Sequence, residues 1–375
     1  MRQTFLSFFG YPIFAETFDS MHNPLQILKR YWGYDGFRPG QAEVIDSILA
    51  GHDTLALMPT GGGKSITFQV PALAKPGICL VISPLVALMK DQVKNLQKRG
   101  ILSAFISSEM PHWEILQQLD NCILGDYRFL YISPERISSE LFQEKLKTLS
   151  RKVNLLVVDE AHCISQWGND FRRDYRLIAD IRDAIPHVQV IAVTASATAA
   201  VVTDICEQLH FRKGYRIFKT SFERKNLSFV VRKTDNKLKE ICHILSSVPG
   251  SAVIYSRTRK GVEEYAGKLR AAGISAEYFH AGLDPILKTE RQVAWVKGLT
   301  RVLVATNAFG MGIDKGDVRV VIHTEFPDSL EAYYQEAGRA GRDGKRAYAV
   351  ALLGPQDITD IKRRPSNAFP TVEYI

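Results

Sequence analysis

Residues 54–65 of the chain read TLALMPTGGGKS, and this short stretch carries the strongest indication of the fold. Its first four residues have the composition of a short buried strand, the three glycines indicate a tight turn, and a helix is expected to begin near Lys64. A turn without side chains leaves its backbone N–H groups accessible, and the following helix N-terminus adds the positive end of its dipole. This arrangement predicts an α/β fold with a site for the phosphates of a nucleotide.

Each residue of this loop has an expected role. The Lys64 ammonium is expected to contact the terminal phosphates, and the Ser65 hydroxyl to bind a magnesium ion. The backbone that would wrap the phosphates comes from Thr60, Gly61, Gly62 and Gly63. The general pattern has glycine where this chain has Met58, so a plain glycine-rich turn is the alternative interpretation.

Short apolar runs of similar style recur between longer helical patterns along the chain. Runs of four or five apolar residues without alternation suggest strands buried on both faces, as in a parallel sheet flanked by helices. They lie at 54–57, 78–82, 129–132, 155–158 and 190–193, and again at 252–255, 276–279, 302–305, 318–322 and 347–352. The chain is therefore predicted to contain two α/β domains in tandem, each a mainly parallel sheet flanked by helices.

Breaks in this pattern predict the domain limits. The basic, aperiodic stretch near 220–227 is expected to separate a first domain, 21–220, from a second domain, 221–354. Residues 1–20 are interpreted as an N-terminal extension, which is not native if Met21 is the natural start. Residues 355–375 are expected to form a tail.

Charge and composition narrow the class of protein. The formal net charge is +8, and residues 211–239 alone hold ten Lys or Arg against two acidic residues, which favours a polyanionic partner. No apolar run is long enough to span a membrane. The five cysteines are widely separated, without the spacing of zinc ligands. We therefore expect reduced, mostly buried thiols, no zinc in this chain, and a cytoplasmic location.

Two adjacent carboxylates follow one of the apolar runs directly. Asp159 and Glu160 come after 154–158, which places both at the carboxyl edge of the predicted sheet, beside the glycine-rich loop. Asp159 could hold a magnesium ion through water, and Glu160 could act as general base toward an attacking water. A solvated loop is the alternative for such a pair alone, but the loop upstream favours a catalytic site.

Two arginines lie in a glycine-rich segment of the second domain, at Arg339 and Arg342. An arginine there can reach a nucleotide held by the first domain if the two domains close on each other. It would then stabilise the charge of the transition state and make hydrolysis depend on closure. Surface residues are the alternative interpretation.

Taken in order, these three motifs resemble those of the RecQ family of superfamily 2 DNA helicases. The resemblance extends from about residue 25 to residue 353 and implies two tandem RecA-like domains of the P-loop NTPase class. Further matching segments are GFRPGQ at 36–41, SPL at 83–85, KDQ at 90–92, SPER at 133–136, TASAT at 194–198, YSR at 255–257, HAGL at 280–283, ATNAFGMGIDK at 305–315 and YQE at 334–336.

The resemblance implies further ligand contacts. Arg38 and Gln41 are expected to contact the adenine base, and Asp314 to contribute to the nucleotide site. The implied contacts with a DNA strand are made by Ser83, Pro84, Ser133, Arg257 and Thr306.

Residues 163–172, CISQWGNDFR, resemble the aromatic-rich loop of the family. Trp167 and Phe171 would stack on unpaired bases, and Arg172 would hold phosphate. Because this loop continues directly from Glu160, it could report bound DNA to the ATP site. The alternative is that both aromatic residues belong to the core of a helix.

The resemblance implies a DNA-stimulated ATPase and 3′ to 5′ DNA helicase that uses ATP and Mg²⁺, binds single-stranded and forked DNA, acts in repair and recombination, and is associated with the bacterial nucleoid. An RNA-remodelling enzyme of the same superfamily and a nucleotide-gated DNA-binding module are the alternatives. Many relatives continue into a zinc module and a winged helix, so the chain is expected to be a fragment, with a minimal form as the alternative. Protein partners are not predicted.

Overall fold

The structure is a computed structural model that describes residues 23–361 except 60, 167–170, 196, 222, 308 and 310–314. The helices in this part of the chain are α1 (Pro24–Trp32), α2 (Gln41–Leu49), α3 (Lys64–Ala74), α4 (Val86–Gln97), α5 (His112–Leu124), α6 (Glu140–Leu149), α7 (Ile178–Ala184), α8 (Ala199–Gln208), α9 (Lys237–Ser247), α10 (Arg259–Ala271), α11 (Pro285–Val296) and α12 (Leu330–Ala337). The strands are β1 (Thr54–Leu57), β2 (Ile78–Ile82), β3 (Ser103–Ile106), β4 (Phe129–Ile132), β5 (Val153–Asp159), β6 (Gln189–Thr194), β7 (Arg216–Lys219), β8 (Leu227–Lys233), β9 (Ser251–Tyr255), β10 (Ala276–Phe279), β11 (Val302–Ala305), β12 (Val318–His323) and β13 (Ala347–Leu353).

The strands form two parallel sheets, as predicted. The first has the order β3-β4-β2-β5-β6-β1-β7 and the second the order β10-β11-β9-β12-β13-β8. Every pairing within them is parallel. Residues 220–226 connect the last strand of the first sheet to the first strand of the second.

Burial on both faces explains why most strands could be found as apolar runs. All residues of β1, β2 and β4 are buried, and helices cover both faces of the first sheet with separate apolar clusters. The ten predicted strands are confirmed, with end shifts of at most two residues. Three strands were missed: β3, β7 and β8. They are edge strands of their sheets, β7 and β8 are largely exposed, and none of the three holds four apolar residues in a row.

A buried ion cluster lies at the amino ends of the strands of the first sheet, just before β1. The fully buried carboxylate of Asp53 accepts hydrogen bonds from the Arg212 guanidinium at 2.8 and 3.0 Å and pairs with Arg182 at 3.3 Å. Burial alone would raise the pKa of Asp53, but hydrogen bonds from Arg212 outweigh it and the pKa is lowered. Arg212, the first basic residue of 211–239, therefore stabilises the folded core.

The cysteines and helices bear on two further expectations. Cys79, Cys122, Cys163 and Cys206 are buried free thiols and Cys242 is half-buried, as predicted. Among the described residues, every helix is too short or too polar to cross a lipid bilayer.

Candidate nucleotide and nucleic-acid site

The glycine-rich loop connects β1 to α3 at the carboxyl edge of the first sheet, and the helix begins at Lys64 as predicted. Gly61 and Gly63 both have φ of +80°, a left-handed conformation that strongly favours glycine. A Cβ on Gly62 would lie 2.9 Å from the Pro59 carbonyl oxygen. The loop is therefore built for glycine at all three positions, which leaves its backbone open as a phosphate cradle.

Met58 explains the departure from the general phosphate-loop pattern. Its backbone N–H donates to the Thr194 carbonyl oxygen at 3.0 Å, which continues the pairing of β1 with β6. Its side chain is 1% exposed and packs in the core beside α3. The residue belongs to the strand and the core, so glycine is not required there.

Asp159 ends β5, the strand that lies two places from β1 in the sheet. One carboxylate oxygen accepts from the Glu160 backbone N–H at 3.0 Å and the other from the Ser83 hydroxyl at 3.2 Å. Burial and the neighbouring Glu160 carboxylate raise the pKa of Asp159 to about 6, although Lys64 acts in the opposite direction. This is a desolvated carboxylate with little compensating positive charge, which suits a cation ligand.

Glu160 points toward the phosphate loop. Its Oε1 lies 3.1 Å from Lys64 Nζ, and its Oε2 lies 3.4 Å from His162 Nδ1. The same histidine nitrogen is 2.9 Å from the Thr194 hydroxyl. Lys64, Glu160 and His162 thus connect the ends of β1, β5 and β6 into one polar cluster.

The predicted adenine-contacting residues hold the loop from its other side. Arg38 Nη1 donates to the Gly61 carbonyl oxygen at 2.7 Å. The Gln41 amide donates to the carbonyl oxygens of Gly62 and Gly63 at 3.3 and 3.1 Å and accepts from the Arg38 backbone N–H at 2.8 Å. These contacts link residues 38–41 directly to the phosphate loop, which the sequence pattern did not reveal.

A cavity of about 950 Å³ opens between the two sheets at this edge. Lys64, Ser65, Asp159 and Glu160 line it from the first half, and Arg342 lines it from the second. Exposed Tyr34, beside Arg38, was missed as a lining residue, as were Gln292, Gly316 and Asp343. The donor set, a half-buried carboxylate and a hydroxyl beside a phosphate cradle and a lysine, fits a magnesium-bound nucleoside triphosphate.

The two predicted arginines occupy different environments. A Cβ on Gly61 would lie 3.1 Å from Arg342 Cγ, so Arg342 packs directly against the phosphate loop across the cleft. Arg339 is only 9% exposed and bonds the Tyr255 hydroxyl inside the second half. Burial raises the pKa of that hydroxyl to about 12. Arg342 therefore lies in the cleft between the two halves, and Arg339 lies behind it.

Arg224, which was not singled out from the sequence, connects the two halves beside this cleft. Its Nη2 donates to the carbonyl oxygens of Ala340 and Gly341 at 3.0 and 2.8 Å. A Cβ on Gly61 would lie 3.6 Å from its Nη1. The basic character of 211–239 was the available signal, but it did not distinguish this residue from its neighbours.

The residues expected to contact DNA lie just after the carboxyl ends of β-strands in the two sheets. Ser83, Pro84, Ser133 and Thr306 are buried in this structure, with Ser83 bonded to Asp159. Exposed Arg257 pairs with Asp328 at 3.0 Å.

Phe171 belongs to the described part of the aromatic-rich loop, where it is half-buried and lies outside any helix. The Arg176 Cζ lies over its ring, 5.3 Å from the ring centroid. Arg172 donates to the Pro84 carbonyl oxygen at 3.1 Å and so joins two of the predicted strand-binding segments. The remaining predicted site residues, Thr60, Trp167 and Asp314, lie outside the described residues.

Comparisons with known proteins concern the family and the fold of the chain. A DEAD/DEAH box helicase family model matches residues 38–205, and a model of the helicase conserved C-terminal domain matches 236–344. The structure is similar to that of Mss116p bound to ssRNA and AMP-PNP, with a TM-score of 0.75 at 18% identity, over 93% of this chain and 75% of that one. This similarity shows the tandem RecA-like helicase fold.

Two relatives from Bacillus subtilis are similar in sequence. The ATP-dependent DNA helicase RecQ is 43% identical over 90% of this chain, and the chain spans 57% of its length. The probable ATP-dependent DNA helicase RecS is 39% identical over 89% of this chain, which spans 67% of that protein. With matching motifs, fold and sequence, this chain belongs to the RecQ family of DEAD/DEAH-box superfamily 2 helicases, of which it comprises the helicase core.

Proposed function

We propose that this chain is a DNA-stimulated ATPase that moves along single-stranded DNA in the 3′ to 5′ direction and separates forked DNA in repair and recombination. The observation that carries the proposal is the cleft in which Lys64, Glu160 and Arg342 meet from two sheets. In this assignment residues 21–220 form the ATP-binding domain and residues 221–354 the helicase C-terminal domain. A cytoplasmic, nucleoid-associated location is part of the same proposal.

In the first domain, Ser65 and Asp159 would hold Mg²⁺, which neutralises charge on the phosphate oxygens when bound. Arg38, Gln41 and Asp314 would complete the nucleotide site. The ion pair between Lys64 and Glu160 has a direct consequence, because both side chains are engaged with each other in this structure. Transfer of the Lys64 ammonium to a phosphate would release the Glu160 carboxylate to accept a proton from the attacking water.

Arg342 makes hydrolysis depend on the position of the second domain relative to the first. It packs on Gly61, so its guanidinium belongs to the nucleotide site only while the cleft is closed. A cation contributed from the second domain would stabilise charge that develops in the transition state. Arg339, which is buried against Tyr255, would orient this segment from behind.

The DNA path is proposed to run over the carboxyl ends of both sheets, from 83–84 and 133 past the aromatic-rich loop to 257 and 306. Trp167 and Phe171 would stack on bases, and Arg172 would hold phosphate. Because the side chains of Ser83, Ser133 and Thr306 are buried, neighbouring backbone groups rather than these hydroxyls would face the strand. Backbone N–H groups bind phosphate without regard to sequence.

The test is steady-state ATP hydrolysis with saturating single-stranded DNA, compared with RNA of equal length. Lys64→Ala and Glu160→Gln should each lower kcat by about 100-fold or more, because each removes a group that acts on the reacting phosphate or water. Lys145→Ala, which removes a partly exposed ion pair with Asp120, is the matched control and should hydrolyse ATP normally.

Each outcome discriminates between functions. Hydrolysis by Lys64→Ala at the wild-type rate would refute the site assignment. Equal stimulation by DNA and RNA would favour an RNA-remodelling enzyme. Normal ATPase without unwinding of a fork that has a 3′ tail would restrict the core to translocation, and strand binding without any hydrolysis would indicate a nucleotide-gated binding module.

A further inference from the structure

Glu160 has an unfavourable backbone conformation, directly after the peptide that joins it to Asp159. Glu160 has φ of 48° and ψ of 48°, and it is one of two described non-glycine residues with positive φ. For a residue with a Cβ such a conformation is uncommon and persists where the surroundings hold it. The direction of the Glu160 side chain therefore depends on whatever fixes this peptide.

Both polar groups of the Asp159–Glu160 peptide form hydrogen bonds. Its N–H donates to the Asp159 carboxylate at 3.0 Å, which is a local contact. Its carbonyl oxygen accepts a hydrogen bond from the Tyr175 hydroxyl at 2.8 Å, which comes from another segment of the chain. Tyr175 is thus the distant anchor of the backbone that aims Glu160 into the cleft.

Tyr175 is itself rigidly placed. It is 0% exposed, packs in the apolar cluster with Ala161 and Ile164, and lies in the short 3-10 helix Arg173–Leu177. Its backbone N–H donates to the Arg172 carbonyl oxygen at 3.1 Å, and the Arg172 N–H donates to the Cys163 carbonyl oxygen at 2.9 Å. The tyrosine therefore follows directly on residues 163–172, the loop expected to stack on bases.

We propose that Tyr175 is a positioning residue that holds Glu160 in its catalytic orientation. The inference rests on the proposed function, since it assigns Glu160 as the base. DNA-stimulated hydrolysis then depends on one hydrogen bond outside the nucleotide site.

Tyr175→Phe tests this assignment, because it removes the hydroxyl and keeps the buried ring. We expect kcat in saturating single-stranded DNA to fall about tenfold, while the Kd values for a fluorescent ATP analogue and for DNA change less than twofold. Tyr131→Phe is the matched control, because Tyr131 is 2% exposed in the same domain and its hydroxyl bonds Gln69 instead. It should keep the wild-type kcat. 3-Fluorotyrosine at position 175, which retains the hydroxyl, should also keep it.

A double-mutant cycle separates positioning from general stability. If Tyr175 acts through Glu160, adding Tyr175→Phe to Glu160→Gln should leave the residual rate unchanged. A further tenfold loss in that background, or a wild-type kcat in Tyr175→Phe alone, would overturn the inference while the helicase assignment stands. Wild-type protein that hydrolyses ATP no faster than Lys64→Ala would instead refute the proposed function.

Discussion

Replacement of Asp159 by asparagine should stabilise the folded protein while it abolishes hydrolysis. The pKa of this half-buried carboxyl is raised from its ordinary 3.8 to about 6. Each tenfold change in proton affinity corresponds to about 1.4 kcal/mol, so keeping Asp159 ionised in the fold costs about 3 kcal/mol above pH 6. Asparagine keeps the acceptor for the Glu160 N–H and presents an N–H to the Ser83 hydroxyl, which can rotate to accept it.

The pH dependence follows from the direction of this shift. Because the folded form binds the proton more tightly than the unfolded chain, the free energy of unfolding falls as pH rises from 3.8 to about 6. Asp159→Asn removes that fall. The variant should therefore be about 3 kcal/mol more stable at about pH 8, and the difference should vanish near pH 4.

Urea unfolding of the whole chain in the presence of EDTA, at several pH values, measures this difference without interference from bound metal. Asp120→Asn is the control, because this partly exposed carboxylate pairs with Lys145 and should change stability by less than about 1 kcal/mol. Equal stability of Asp159→Asn and wild type at pH 8, or a larger gain at low pH than at high pH, would refute the reasoning.

Three further predictions concern the core of the first domain, the glycine-rich loop and the binding of single-stranded DNA. Asp53→Ala should destabilise the first domain by about 3–5 kcal/mol in urea, because it leaves Arg182 buried and unpaired by a carboxylate; a loss below about 1 kcal/mol would contradict this. Gly62→Ala places a methyl group 2.9 Å from the Pro59 carbonyl oxygen and should weaken binding of a fluorescent ATP analogue at least tenfold, whereas Gly267→Ala in open space should not. Affinity for single-stranded DNA should fall steeply between low and physiological salt, because the expected contacts are largely to phosphate, and a flat dependence in a filter-binding titration would argue against them.

Local patterns in the sequence were sufficient to predict the two α/β domains and the position of the glycine-rich loop. A strand buried on both faces requires a continuous apolar run, so β1, β2 and β4 could be located from composition alone. The glycines at 61–63 and the carboxylates at 159–160 follow such runs directly. Their proximity could be predicted because parallel strands end at one edge of a sheet.

The edge strands β3, β7 and β8 and the contacts between distant segments required the tertiary structure. An edge strand is held by backbone hydrogen bonds to one neighbour and need not be apolar, so composition did not identify these three. Arg342 and Arg339 have similar sequence surroundings, yet one lies against Gly61 and the other against Tyr255. Which of two nearby arginines faces a cleft depends on residues far away in the chain.

Residue types at short spacings were enough to establish the fold class, the glycine-rich loop and the family of this chain. The tertiary structure decided that Lys64 pairs with Glu160, that Arg224 joins the two halves, and that Tyr175 anchors the strained Glu160 peptide. Each of these is a hydrogen bond or ion pair between segments that only folding brings within reach. No local pattern encodes such a distance.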